Sequence, residues 1–137
     1  MAQDTLFGSW TLISHQFVTS DTLDSRDMFG ADPMGTLVMT PDHRLIALIT
    51  AKGRQASDSE AALFKSALAY AGPFRIEADQ IITTVEVAWH PGWLGLEQAR
   101  TFALTDGILT IMTPETSHPM FDGRPARGVL KWKRAEG

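Results

Sequence analysis

Between Ile81 and Leu104 the chain reads I-I-T-T-V-E-V-A-W-H-P-G-W-L-G-L-E-Q-A-R-T-F-A-L, two apolar and β-branched runs on either side of a His90-Pro91-Gly92-Trp93 corner. Residues branched at Cβ favour extended chain, and proline interrupts a strand ladder. The stretch is therefore predicted to form two antiparallel arms, Ile81–Trp89 and Leu96–Leu104, paired around a tight turn. Glu86 on the first arm and Arg100 on the second are opposite charges in largely apolar surroundings. Such a charge is costly unless it meets an opposite charge or a ligand, which makes this pair the first candidate for a functional site. Strand parity groups Glu86 with Thr84 and Ala88, and Arg100 with Gln98 and Phe102, and leaves open which face looks inward.

The remaining segments read as more of the same sheet. Leu6–Val18 alternates as a strand with Trp10, Leu12, Ser14, Gln16 and Val18 on one face and Ile13, His15 and Phe17 on the other. Asp21–Pro33 is polar and reads as a loop over one mouth of the sheet. Gly35–Thr40 and Arg44–Thr50 are the second and third strands around the turn at Pro41-Asp42. The third is apolar on both faces, so something is expected to cover its outer side. The expected cover is a helix from Ser57 to Tyr70, lying over that outer face or over one mouth of the barrel. Ser57-Asp58-Ser59-Glu60 matches a capping box, apolar residues follow at three-to-four spacing, and Gly72-Pro73 reads as the stop. Phe74–Ala78, the two arms, Ile108–Thr113 after a Asp106-Gly107 turn, and Gly128–Arg134 supply the other strands, with a loop over Pro114–Pro125. The expected fold is all-β: one domain over residues 1–137, an eight-stranded antiparallel up-and-down barrel with one helix inserted after the third strand. Closure would remove exposed sheet edges, and a barrel of that size holds side chains or one small ligand.

Composition narrows the function classes. With 44% hydrophobic and 20% charged residues the chain is that of a globular protein. A net charge of −4 gives no clustered basic face for nucleic acid. The absence of cysteine removes disulfides, thiolate nucleophiles and thiolate metal sites. His15, His43, His90 and His118 show no metal-ligand spacing, so no metal and no cofactor are expected. The opening M-A-Q-D-T-L-F-G-S-W lacks a secretory pattern and no apolar run is long enough to span a membrane, so the expected address is the cytoplasm.

Gly8-Ser9-Trp10 matches the G-x-W that opens a lipocalin barrel, and Arg134 matches the arginine that packs on that tryptophan from the last strand. Guanidinium over indole is a favourable contact. With D-P-M-G-T-L-V-M-T-P-D-H-R-L, A-Y-A-G-P-F, V-E-V-A-W-H-P-G-W-L-G-L-E-Q-A-R and L-K-W-K-R, these segments cover nearly the whole chain in order, and the chain resembles the bacterial lipocalin-like domain family. The resemblance implies an eight-stranded barrel with a small-molecule cavity and no single chemistry. Family members often carry a histidine near Thr83 and Thr84; this chain does not, so no role of that histidine carries over.

A cavity bordered by Ser14, Gln16, Glu86, Arg100, Tyr70 and Trp93 is the expected ligand site, with Glu86 and Arg100 as the candidate acid–base pair if there is catalysis. Bland alternatives stand beside each: an ion pair that fixes register, Tyr70 as an amphipathic cap, Trp93 as packing at the corner. Of the histidines only His15 could point inward, and Trp10 parity argues against it. Three functions fit: a binder of a small hydrophobic ligand, a cofactor-independent isomerase, cyclase or lyase, and a dimerisation or partner module with a filled core, for which a second copy of the chain is the candidate partner.

Overall fold

The computed structural model describes residues 5–117 and 123–135. In chain order the elements are β1 (Gly8–Thr19), β2 (Ser25–Asp27), β3 (Met34–Met39), β4 (Arg44–Thr50), α1 (Glu60–Lys65), β5 (Ala67–Glu77), β6 (Gln80–Thr84), β7 (Val87–Ala88), β8 (Glu97–Thr105), β9 (Ile108–Met112), β10 (Thr116–Ser117) and β11 (Pro125–Arg134). Strands β1, β3, β4, β5, β6, β8, β9 and β11 pair antiparallel in sequence order, and β11 returns to pair with β1. The barrel is closed and eight-stranded, as expected, with the helix after its third strand. The short strands β2, β7 and β10 add onto β1, β5 and β11.

One end of the barrel is packed solid. Trp10, Leu12, Leu37, Met39, Leu45, Leu109 and Trp132 form its core, with Trp10 only 1% exposed. Trp10 and Arg134 are register partners across the closing ladder, and the guanidinium carbon lies 4.1 Å from the centre of the indole. The indole Nε1–H donates to the Leu6 carbonyl at 2.9 Å, and Arg134 donates to the carbonyls of Thr5 and Phe7. Gly8 holds φ at +119°, and a Cβ there would lie 2.9 Å from Arg134 Nη1. The glycine of the G-x-W segment is thus required both by backbone conformation and by the arginine beside it.

Three expectations are corrected. The helix is six residues long, not fourteen, and its N-cap is Ser59, whose hydroxyl accepts from Ala62 N–H at 3.1 Å; Ser57 plays no such part. Residues from Ala67 onward belong to β5, paired with β4 from Thr50↔Ala67 to Arg44↔Pro73. Leu68 and Tyr70 alternate with Ala69 and Ala71 as well as any helix would space them. Pairing along the whole of β4 outweighs alanine's helix preference. Gly72 is no helix stop: a Cβ there would meet the Thr84 carbonyl oxygen at 1.8 Å, so it permits the close approach of β5 to the end of β6. Nor does α1 cover β4, whose Ile46 and Leu48 stay 52% and 50% exposed. Phe64 of α1 instead stacks on Trp89 with ring centres 4.3 Å apart, and Trp89 Nε1–H donates to the Phe64 carbonyl at 3.1 Å.

The arms are corrected too. The first strand ends at Thr84, and the chain bulges through Val85-Glu86 before Val87-Ala88 rejoins β5. The link from β6 to β8 is therefore a folded segment, Val85–Leu96, with a 3-10 turn at Pro91–Trp93, rather than a tight corner.

Replacing Trp10 by Ala is expected to cost about 3–5 kcal/mol in urea unfolding, the range for a large buried aromatic. Ser59→Ala is expected to weaken the helix by about 1 kcal/mol, read as faster exchange of the Ala62 amide, whereas Ser57→Ala leaves that amide unchanged.

Candidate functional site

Beyond the packed end the barrel encloses a cavity of about 200 Å³. All eight barrel strands contribute to its wall. Leu37, Leu45, Ala47, Ile49, Leu68, Ile81, Ile111 and Leu130 make most of that wall apolar. The polar exceptions are His15, Tyr70, Thr83, Gln98, Arg100, Thr113 and the indole N–H of Trp132. Met28, from the segment after β2, and Trp93, from the β6–β8 link, complete the lining.

A bulge in β1 decides which side chains of that strand face the cavity. Leu12 pairs with Trp132 and Ser14 with Lys131, so Ile13 is an extra residue on β1. Such an insertion reverses the alternation beyond it. Trp10 and Leu12 point inward before the bulge, and His15, Phe17 and Thr19 after it. Ser14 and Gln16, expected inside, are absent from the wall; Gln16 Nε2–H instead donates to Asp27 Oδ1 on β2 at 3.2 Å. His15, expected outside, is 5% exposed and packs edge-on against Phe29 at 5.7 Å.

Glu86 and Arg100 are separated. The bulge after Thr84 turns Glu86 to the exterior, where Arg44 Nη1 meets its carboxylate at 2.7 Å and both side chains are half exposed. An exposed pair of this kind contributes at most about 1 kcal/mol. Arg100 keeps the inward register with Gln98, opposite Ile81 of β6. Its one hydrogen bond among the described residues runs from Nη1 to the Ala99 carbonyl at 3.1 Å. Tyr70 and Trp93 do face the cavity, edge to face with ring centres 5.9 Å apart. Trp93 continues through Trp89, at 5.2 Å, to Phe64 of α1, so an aromatic run roofs this side.

The electrostatics of the interior follow from burial. His15 Nδ1, Gln98 Oε1 and Trp132 Nε1 are buried without a hydrogen-bond partner among the described residues, although native proteins pair most such atoms. Burial lowers the His15 pKa from 6.5 to about 4, so the imidazole is neutral at neutral pH. The Tyr70 phenol is pushed above its ordinary value by burial, partly offset by the charge of Arg100, and remains a protonated donor. Burial pulls Arg100 below the ordinary arginine value, with Tyr70 opposing. Among the described residues no carboxylate lines the cavity. His43 sits between Phe7 and Phe74 outside it, His90 caps the 3-10 turn through Gly92 N–H, and His118 lies outside the described residues. Among the described residues no three His, Asp or Glu side chains are grouped as a metal site, and no helix is long and apolar enough to cross a membrane.

A barrel closed by a tryptophan–arginine contact, with a lined interior of this kind, defines a lipocalin-type architecture. The family model of the lipocalin-like domain matches residues 7–135, and the chain belongs to that family. None of the curated proteins matches the chain. Small-molecule binding in general is what such a barrel supports.

Burial of neutral His15 makes stability pH-dependent. Its folded pKa lies below the unfolded value, so as pH falls from 6.5 the unfolded state takes up a proton first. Stability present above pH 6.5 is lost toward pH 4, below which the folded protein is protonated as well. Between pH 7.5 and 4.5 this single group is expected to remove about 2–3 kcal/mol. A His15→Gln variant should lose correspondingly less in chemical unfolding over the same window; an identical loss in both proteins would contradict the assignment.

Proposed function

We propose that this protein binds a small, largely apolar organic molecule inside the barrel, oriented by the few polar groups of the wall. The observation that carries this reading is the coexistence of open volume with buried, unpartnered polar atoms in the same lining. Apolar walls supply affinity and a handful of placed polar groups supply orientation, the usual make-up of a small-molecule site. A dry cavity of about 150 Å³ already holds benzene, so about 200 Å³ suits one ring with a substituent, or a short branched chain.

The two other functions are less well supported by the geometry. A partner module with a filled core is at odds with the open interior. A cofactor-independent isomerase, cyclase or lyase needs a positioned acid or base with a pKa near the working pH. Glu86 lies outside the cavity, and His15, the one imidazole inside among the described residues, is held near 4 and is a weak base at neutral pH. Binding is the function favoured.

Toluene is a suitable probe. At tenfold excess over its Kd it should stabilise the wild-type protein by about 1.4 kcal/mol in thermal or urea unfolding. Ala47→Phe, which places a ring in the cavity from β4, should remain folded and lose that response. Wild-type protein indifferent to toluene, or a variant that responds equally, would remove the binding reading.

A further inference from the structure

We propose that the molecule selected by this cavity is a compact organic monoanion, with a carboxylate or enolate oxygen set against Arg100 and an apolar body against the aliphatic wall. The inference rests on the reading of the cavity as a ligand site and adds the charge of the ligand to it.

Arg100 carries the inference because of what its guanidinium lacks. Arg44, Arg75, Arg124 and Arg127 each meet a carboxylate outside the cavity: Glu86 at 2.7 Å, Glu97 at 2.8 Å, Asp24 at 3.3 Å and Glu115 at 3.4 Å. Among the described residues Arg100 meets none, and one backbone carbonyl takes one of its five N–H donors. A cation withdrawn from water into an apolar wall is costly until an anion neutralises it. The β8 ladder fixes its backbone opposite Ile81, so the charge is held at the wall by the fold.

The neighbouring polar groups suit the same ligand. The Tyr70 hydroxyl stays protonated, and the Trp132 indole N–H is a buried donor without an acceptor among the described residues. Gln98 can present either end of its amide, since oxygen and nitrogen are exchanged by a simple flip. Donors around one guanidinium form a receptor for oxygen acceptors, and charged hydrogen bonds are about twice as strong as neutral ones. His15 is neutral at neutral pH, so among the described residues the wall carries a single positive charge, which one negative charge balances. A phosphate monoester, with nearly two charges and a larger hydration shell, would be left half compensated.

The test compares an acid with its neutral isostere. Phenylacetate, phenylacetamide and toluene are titrated calorimetrically into the wild-type protein at pH 7, and into Arg100→Met and Arg100→Lys. Wild-type protein should bind phenylacetate about 10- to 100-fold more tightly than phenylacetamide, the range of a hydrogen bond to a charged group. Arg100→Met should bind the two within about twofold of each other, while Arg100→Lys retains part of the preference. Equal binding of acid and amide by wild-type protein, or a preference that survives in Arg100→Met, overturns the inference and leaves the cavity reading intact. Binding of toluene without phenylacetate does the same. Failure of all three probes, toluene included, removes the cavity reading itself. Should Arg100→Met not fold, the wild-type ratio of acid to amide decides alone.

Discussion

The ladder between β1 and β11 runs from Trp10 opposite Arg134 to Thr19 opposite Ala126, and the interior depends on it. Closure turns a curled sheet into a container, and the number of strands then sets the width. At one end the width is filled by Trp10 and Trp132, with Arg134 laid over Trp10 and bonded to the chain just before β1. That contact joins the two ends of the barrel, so its loss would open the structure along the seam that bounds the cavity. Further along, the wall includes small residues such as Ala47 and Thr83, and the rings of Phe17, Tyr70 and Trp93 border the open space rather than fill it.

Small departures from regular pairing aim the functional groups. The extra residue Ile13 turns His15 inward, and the bulge beyond Thr84 turns Glu86 outward. Gly72 makes the second possible, because any side chain there would strike the Thr84 carbonyl. The same bulge frees the β6–β8 link to fold back, bringing Trp93 to the wall and Trp89 under Phe64. Irregular backbone thus determines both the polar content of the cavity and its aromatic roof.

Much of the fold was legible in the sequence because it rests on local signals. Arg44–Thr50 is a short apolar run set off by the Pro41-Asp42 turn, Asp106-Gly107 makes a hairpin turn, and Gly8, Trp10 and Arg134 mark the seam. Arg100 and Gln98 could be grouped by parity because β8 is regular over that span. Parity alone sets Ser14 and Gln16 inward and His15 outward, because it carries no trace of the bulge at Ile13 just before them. Only a run such as Trp10, Leu12, His15, Phe17, in which the large rings change phase, hinted at it. Ala67–Ala71 satisfies both the helical and the strand period, and pairing with β4, which decides between them, is a long-range choice. Continuous arms would set Glu86 beside Arg100, whereas its partner Arg44 comes from a strand that the corner does not point to.

The central claim is that the barrel interior, and not its packed end or outer face, receives a ligand. The four tryptophans report on these regions: Trp93 lines the cavity, Trp132 stands where the cavity meets the packed end, Trp89 lies under Phe64, and Trp10 is bonded to Leu6 at the closed end. The most direct measurement is the set of indole N–H signals in a nitrogen-15 NMR titration with a compact apolar probe such as indene. Saturable shifts of the Trp132 and Trp93 signals, with the Trp10 signal fixed, are the predicted result. Trp10 and Trp132 moving together, or no indole signal moving while the probe binds elsewhere, would contradict it.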